Sequence, residues 1–275
     1  SYKKLRTYNI QLVTFSYLCS MKIGIIVAMD KEFAQLKAIL SNTETKHFNH
    51  KDFVTGRLGD KEIILQQCGI GKVNSAIGAV EMINHYQPDL VISSGCAGGA
   101  DTSLEVTDVV VATECAYHDA YCGDEVAFGQ IIGMPARFKA PTELIEKALS
   151  LNNLPDCKDL HVKAGLTVSG EWFVNSREKM QQIMDHFPEA TAVDMESCSI
   201  AQVCHIYQTP FVSFRVISDV PLKDNKASQY YDFWERIANG SFEVTKQFIN
   251  LIQNPSLIHN SKFKIHNYDY RGRQS

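Results

Sequence analysis

Ile23-Gly24-Ile25-Ile26-Val27 is an unbroken apolar run, and a strand of that composition has to be covered on both faces, the condition met inside a parallel sheet flanked by helices. Asp89 to Ser93 encloses a second such run, and strand patterns recur over 106–112, 162–169, 191–194 and 210–217. Helical periodicity fills the intervals at 32–40, 73–86, 142–151, 177–186, 196–207 and 230–252. Phe53–Leu58 and Glu62–Gln66 flank Gly59-Asp60, a hairpin signal, and a polar, aromatic loop runs from Tyr117 to Gly133. Strands alternating with helices predict an α/β fold, a single domain with a mixed, mostly parallel central sheet flanked by helices and one antiparallel hairpin.

A chain of 275 residues, 45% hydrophobic, can bury one large core without splitting. Its net charge of −4 comes from 27 basic and 31 acidic residues with no Lys/Arg block, which excludes nucleic acid and anionic membrane as expected partners. No apolar run approaches the roughly 20 residues of a membrane span. The eight cysteines form no Cys-x-x-Cys pair, which fits a reducing cytoplasm. Residues 1–20 carry Lys3, Lys4 and Arg6 ahead of a stretch diluted by Gln11, Thr14 and Ser16, and are expected to be a leader outside the fold. The folded domain is expected over 21–253, with 254–275 a loosely held tail.

Two acidic signatures carry the chemistry: Ala192-Val193-Asp194-Met195-Glu196 and Arg215-Val216-Ile217-Ser218-Asp219. A carboxylate at the end of an apolar strand loses hydration unless something pairs with it, so it reads as a ligand or proton-transfer group. Ligands of such folds bind beyond the carboxyl ends of the strands. Glu32 after the first strand, a glycine-rich turn at Gly95-Cys96-Ala97-Gly98-Gly99, Glu196 and Asp219 all meet that condition and are expected to converge on one pocket. Taken singly, Glu32 and Glu196 also read as surface acids compensating a helix dipole. Ser218-Asp219 also reads as a helix or turn cap, although the following Val220-Pro221 opens no helix; as a proton donor, Asp219 would be kept protonated by partial screening from water by Phe211, Val216 and Ile217. Gly69-Ile70-Gly71-Lys72 lacks the residues of a phosphate-binding loop and reads as a tight turn into a helix. His118-Asp119 reads as a hydrogen-bonded loop pair, and the scattered histidines predict no metal site.

With those residues in view, the chain from Met21 to about Gln253 resembles the 5′-methylthioadenosine/S-adenosylhomocysteine nucleosidases of the nucleoside phosphorylase superfamily. The resemblance rests on Gly24 to Glu32, Gly69 to Asn74, Gly95 to Gly99, Tyr117 to Ala120, Val168-Ser169-Gly170, Val193 to Glu196 and Arg215 to Asp219. It implies a cofactor-free hydrolase that releases adenine and a 5-thioribose product. Glu32 matches the carboxylate that activates water and Asp219 the acid that protonates adenine at N7. Glu196 matches the group holding the ribose hydroxyls, with Met195 packed on the sugar; Phe173, beside Val174, matches the aromatic that stacks on adenine. Met29 and Tyr230 fall where the family lines the 5′-substituent pocket. Cys96, Gly98, Arg215 and Ser218 belong to the matched substrate-site segments, with Cys96 where serine is common. The family further implies a homodimer whose 121–128 loop lies near the neighbouring pocket. A phosphorylase of the same fold and a non-catalytic nucleoside-binding or storage protein remain the alternatives, and 5′-deoxyadenosine is a further candidate substrate.

Overall fold

The computed structural model describes residues 20–158, 161–223, 233 and 242–252. The chain runs β1 (Lys22–Val27), α1 (Asp30–Ala38), β2 (Ser41–Phe48), β3 (Lys51–Leu58), β4 (Lys61–Gln67), α2 (Lys72–Tyr86), β5 (Leu90–Gly99), β6 (Val109–Tyr117), β7 (Phe138–Lys139), α3 (Thr142–Ser150), β8 (Val162–Ser169), α4 (Arg177–Met184), β9 (Ala190–Asp194), α5 (Ser197–Tyr207), β10 (Phe211–Asp219) and α6 (Glu243–Leu251). Expectations about the leader before Ser20, the tail after 253, Tyr230 and the 230–232 and 234–241 parts of the 230–252 helix fall outside the described residues.

One mixed sheet organises these elements. β2, β3, β4, β1 and β5 lie side by side, and β5 then enters a ring in which β10, β6, β8 and β9 follow and β9 returns to β5. β1 pairs parallel with both β4 and β5, as its apolar run requires. Ile23, Ile25 and Val27 enter one core layer with Val212, Phe214 and Phe248, while Ile26 enters the other with Ile64, Met82 and Ile83. Both faces of β1 are thus apolar, each removed from water by a different set of neighbours.

The hairpin stands as read: Leu58 pairs with Lys61 across Gly59-Asp60, with Gly59 at φ +61°. β2 is an addition to the expected elements. Its sequence, Ser-Asn-Thr-Glu-Thr-Lys-His-Phe, is exposed almost throughout, so it carries no period-2 apolar signal and is held by its backbone ladder to β3. The strand expected over 106–112 is displaced, because Thr107 adopts φ +83° and Asp108 closes a turn on Glu105; pairing begins at Val109 and continues to Tyr117. The glycine-rich segment 95–99 is no turn but the second half of β5.

Candidate active site

The glycines of β5 explain how charged groups come to stand inside the sheet. A Cβ on Gly95 would lie 2.9 Å from Glu32 Oε1 and 3.3 Å from Arg215 Nη1, and one on Gly99 would press on Val220 and Ile217. β10 runs parallel beside this segment and, through a bulge between Ile217 and Asp219, sets Asp219 opposite Gly98. β9 pairs antiparallel at Gly99↔Ala192 and Gly98↔Val193, so its chain runs back along β5 and carries Asp194, Met195 and Glu196 towards Cys96. The carboxyl ends of β1, β5, β9 and β10 therefore surround one cavity of about 130 Å³. Met29, Glu32, Cys96, Gly98, Phe173, Val174, Met195, Glu196, Ser218 and Asp219 all line it. Ten of the twelve expected site residues are thus gathered there; Tyr230 lies outside the described residues, and Arg215 takes a different place.

Glu32 is 1% exposed, which removes the surface-acid reading. Its Oε2 accepts the N–H groups of Ala28 (3.0 Å) and Met29 (2.9 Å), and its Oε1 that of Cys96 (3.1 Å). The residue thus caps the start of α1 and faces the cavity at once. Burial is the dominant influence and raises its pKa against the opposing effect of the Met29 N–H and the nearby Arg215 guanidinium.

Glu196 is also buried, at the N-terminal boundary of α5, and its Oε1 accepts the Gly71 N–H at 3.0 Å. Burial first, then the charge of Asp194, lift its pKa from 4.5 to about 7. Gly71 sits at φ +95° ahead of α2, and a Cβ there would lie 2.6 Å from Glu171 Oε2. The tight turn read from the sequence is present; what the sequence did not disclose is that its amide holds a site carboxylate.

Asp219 is partly buried, and burial raises its pKa against a 2.6 Å hydrogen bond donated by Ser218 Oγ. Val216 and Ile217 are buried in its strand, but Phe211 opens β10 at the opposite end and packs with Cys204 and Phe138. The expected shielding by Phe211 is therefore corrected to shielding by the bulged strand end, where Ile217 and Val220 pack with Ala97 and Ala192.

Arg215 and Asp194 form a buried ion pair below the cavity. Arg215 Nε donates to Asp194 Oδ2 at 2.5 Å, Nη2 to Ser93 Oγ at 2.7 Å and Nη1 to the Phe214 carbonyl at 3.1 Å. Asp194 also accepts from Ser169 Oγ (2.5 Å) and from the Glu196 and Ser197 N–H groups (3.3 Å each). The pair fixes β9, β10 and the start of α5 to one another, and removing one partner of such a pair costs about 3–5 kcal/mol. Arg215, expected among the substrate-binding residues, is corrected to a structural partner of Asp194: it lies mid-strand in β10 and is absent from the cavity lining.

Phe173 and Trp172 stand 52% and 41% exposed at the cavity wall beside buried Val174. Large aromatic surface left facing a cavity suits a flat ligand. Cys96 lines the cavity, but burial and the neighbouring Glu32 charge hold its thiol pKa well above 9.0, which leaves it a neutral contact rather than a nucleophile. His118 departs from expectation: it is buried, neither ring nitrogen has a hydrogen-bond partner among the described residues, and the ring packs edge-on to Trp172. Gly170 admits it, since a Cβ there would run into the imidazole. Among the described residues no three His, Cys, Asp or Glu side chains are arranged to hold a metal ion, and no helix is long and apolar enough to cross a membrane.

The family model of the phosphorylase superfamily matches residues 22–250. A 5′-methylthioadenosine/S-adenosylhomocysteine nucleosidase from Staphylococcus saprophyticus is 43% identical over 235 residues, covering 84% of this chain and 100% of the relative. Among solved structures, an S-adenosylhomocysteine nucleosidase from Streptococcus pyogenes in complex with 5-methylthiotubericidin superposes with a TM-score of 0.80 at 30% identity, over 86% of this chain and 100% of that one. A 5′-methylthioadenosine/S-adenosylhomocysteine nucleosidase from Neisseria meningitidis in complex with methylthio-immucillin-A gives 0.78 at 36% identity, over 84% and 99%.

Proposed function

The chain belongs to the 5′-methylthioadenosine/S-adenosylhomocysteine nucleosidase family of the phosphorylase superfamily, and from that premise we propose that it hydrolyses the N-glycosidic bond of both nucleosides by acid protonation of the base and carboxylate activation of water. One observation carries the mechanism: Glu32, Glu196 and Asp219, brought by three different strand ends, share a single cavity walled by Phe173 and Val174. Cleavage of a ribose–N9 bond passes through an oxocarbenium-like sugar and asks for an acid on the leaving base and a base on the incoming water.

Asp219, its pKa raised by burial, holds the proton that adenine N7 receives, and Ser218 fixes the orientation of that carboxyl. Glu32 takes the proton of the attacking water; the three backbone amides that hold it leave its carboxylate one orientation. Glu196, steadied by Gly71, binds the ribose hydroxyls, and its negative charge favours positive charge developing on the ring. Met195 packs on the sugar, Phe173 stacks on adenine beside Val174, Met29 lines the 5′-group, and Cys96 and Gly98 complete the floor. Arg215 acts from below by keeping Asp194 and the strand ends in place. The mechanism needs no cofactor, and 5′-deoxyadenosine, which keeps the adenine and the ribose hydroxyls and lacks only the 5′-sulfur substituent, is a third substrate.

Water rather than phosphate is the nucleophile. Arg215 is already engaged by Asp194, Ser93 and the Phe214 carbonyl, so a phosphate entering the cavity would meet Glu32 and Glu196 in a site where like charges repel more strongly than in water. A homodimer that lays its 121–128 loop near the neighbouring pocket fits the exposed apolar side chains Ile70, Val73, Ile77 and Tyr121. The deciding assay is adenine release from methylthioadenosine, adenosylhomocysteine and 5′-deoxyadenosine, with and without millimolar phosphate. The expected outcome is release in phosphate-free buffer, no acceleration on adding phosphate and no sugar phosphate by mass spectrometry; a strict phosphate requirement overturns the reading in favour of a phosphorylase.

A further inference from the structure

β6 and β8 run parallel with Tyr117 opposite Ser169, so the residues that follow them, His118-Asp119 and Gly170-Glu171, leave the sheet side by side. Asp119 Oδ2 accepts the Glu171 N–H at 2.8 Å. The same carboxylate takes the Lys72 ammonium at 2.8 and 2.9 Å on its two oxygens. Glu171 returns the connection, its Oε1 accepting the Lys72 backbone N–H at 2.8 Å. Asp119, Lys72 and Glu171 thus close a ring of three contacts joining three chain segments. One segment carries Gly71, whose N–H holds Glu196; another carries Trp172 and Phe173.

We propose that Asp119 is a positioning residue for the reaction: its carboxylate clamps the Gly71 turn to the aromatic wall and thereby sets the spacing between the group that binds the sugar and the ring that stacks on the base. The inference rests on the nucleosidase reading above. Asp119 touches none of the cavity's chemistry. Its side chain is 10% exposed and that of Lys72 28%, a setting in which an ion pair is screened less than at an open surface. The two held elements bind substrate in the ground state as well as in the transition state, so loosening them weakens binding more than turnover.

The test compares wild type with Asp119→Ala, Asp119→Asn, Lys72→Met and the Asp119→Ala/Lys72→Met double variant, using methylthioadenosine. For Asp119→Ala we expect KM to rise about tenfold or more with kcat within about threefold, and for the double variant a KM no worse than that of Asp119→Ala alone. Asp119→Asn, which keeps an acceptor for the Glu171 N–H, should recover part of the loss. Hydrogen exchange over 70–75 and 171–174 should quicken in both segments together, a readout independent of activity. KM within twofold of wild type in Asp119→Ala, or faster exchange in one segment only, overturns the proposal. A collapse of kcat at unchanged KM also overturns it. Should Asp119→Ala not fold, Asp119→Asn and Lys72→Met carry the same criteria at about threefold in KM. If wild type fails to release adenine, the nucleosidase reading falls, and the exchange data alone decide whether the clamp exists.

Discussion

Single residues separate cleanly by what else they do. Asp219→Asn keeps an oxygen for the Ser218 hydroxyl and removes only the proton, so kcat should fall about 10²–10⁴-fold at unchanged melting temperature; retention of more than about a tenth of wild-type kcat would remove Asp219 from its role. In the wild type, activity should fail at high pH as Asp219 loses its proton and at low pH as Glu32 gains one, because burial raises both pKa values. Glu32→Gln is less clean. Three N–H groups converge on the two oxygens of Glu32, and an amide must turn its NH₂ towards one set of donors, so this variant should lose stability by about 1–3 kcal/mol as well as activity. Glu196 gives a prediction of opposite sign. From pH 4.5 to about 7 the folded state keeps a proton that the unfolded chain releases, so stability falls as pH rises across that window, by on the order of 3 kcal/mol in total. Glu196→Gln does not titrate. Its melting temperature relative to wild type should therefore climb between pH 4 and pH 8 while substrate affinity falls, and a difference that stays flat with pH would sink the assignment. These three carboxylates were legible in the sequence because each follows an apolar strand. Their partners were not: the Gly71 amide reaches Glu196 from 125 residues away and the Cys96 amide reaches Glu32 from 64, and separation of that kind leaves no mark in local pattern.

Elements were legible in proportion to how much apolar surface they bury. β1 and the first half of β5 announce themselves because both of their faces lie in the core. β2, exposed nearly throughout, has a composition indistinguishable from a loop, since its contribution is backbone pairing, which any residue but proline can make. The segment 95–99 misleads for a related reason. Glycines suggest a turn, yet here they thin a strand so that the Glu32 carboxylate and the Arg215 guanidinium can pass close by. The same small residues that weaken β propensity make room for charge within the sheet. Val106 was drawn into a strand by its side chain, whereas the positive φ of Thr107 belongs to a turn that β-branched composition conceals.

At the scale of the whole molecule, Val73 and Ile77 lie one helical turn apart on α2 and are 69% and 45% exposed, and Ile206 and Tyr207 at the end of the adjoining α5 are 52% and 41% exposed. An apolar area on two packed helices is a natural seat for a second copy. Ile77→Asp should convert a dimer to a monomer in sedimentation velocity at micromolar protein; a wild type that sediments as a monomer would remove the dimer. The ring of β5, β10, β6, β8 and β9 has its own consequence for the durability of catalysis. Each of these strands is bonded on both sides, so no terminal strand is available to peel away and carry Asp219 or Asp194 with it. β9 and β10 leave the ring only when two ladders break together. The thermal lifetime of the activity is accordingly governed by the unfolding barrier of the entire core rather than by fraying near the cavity.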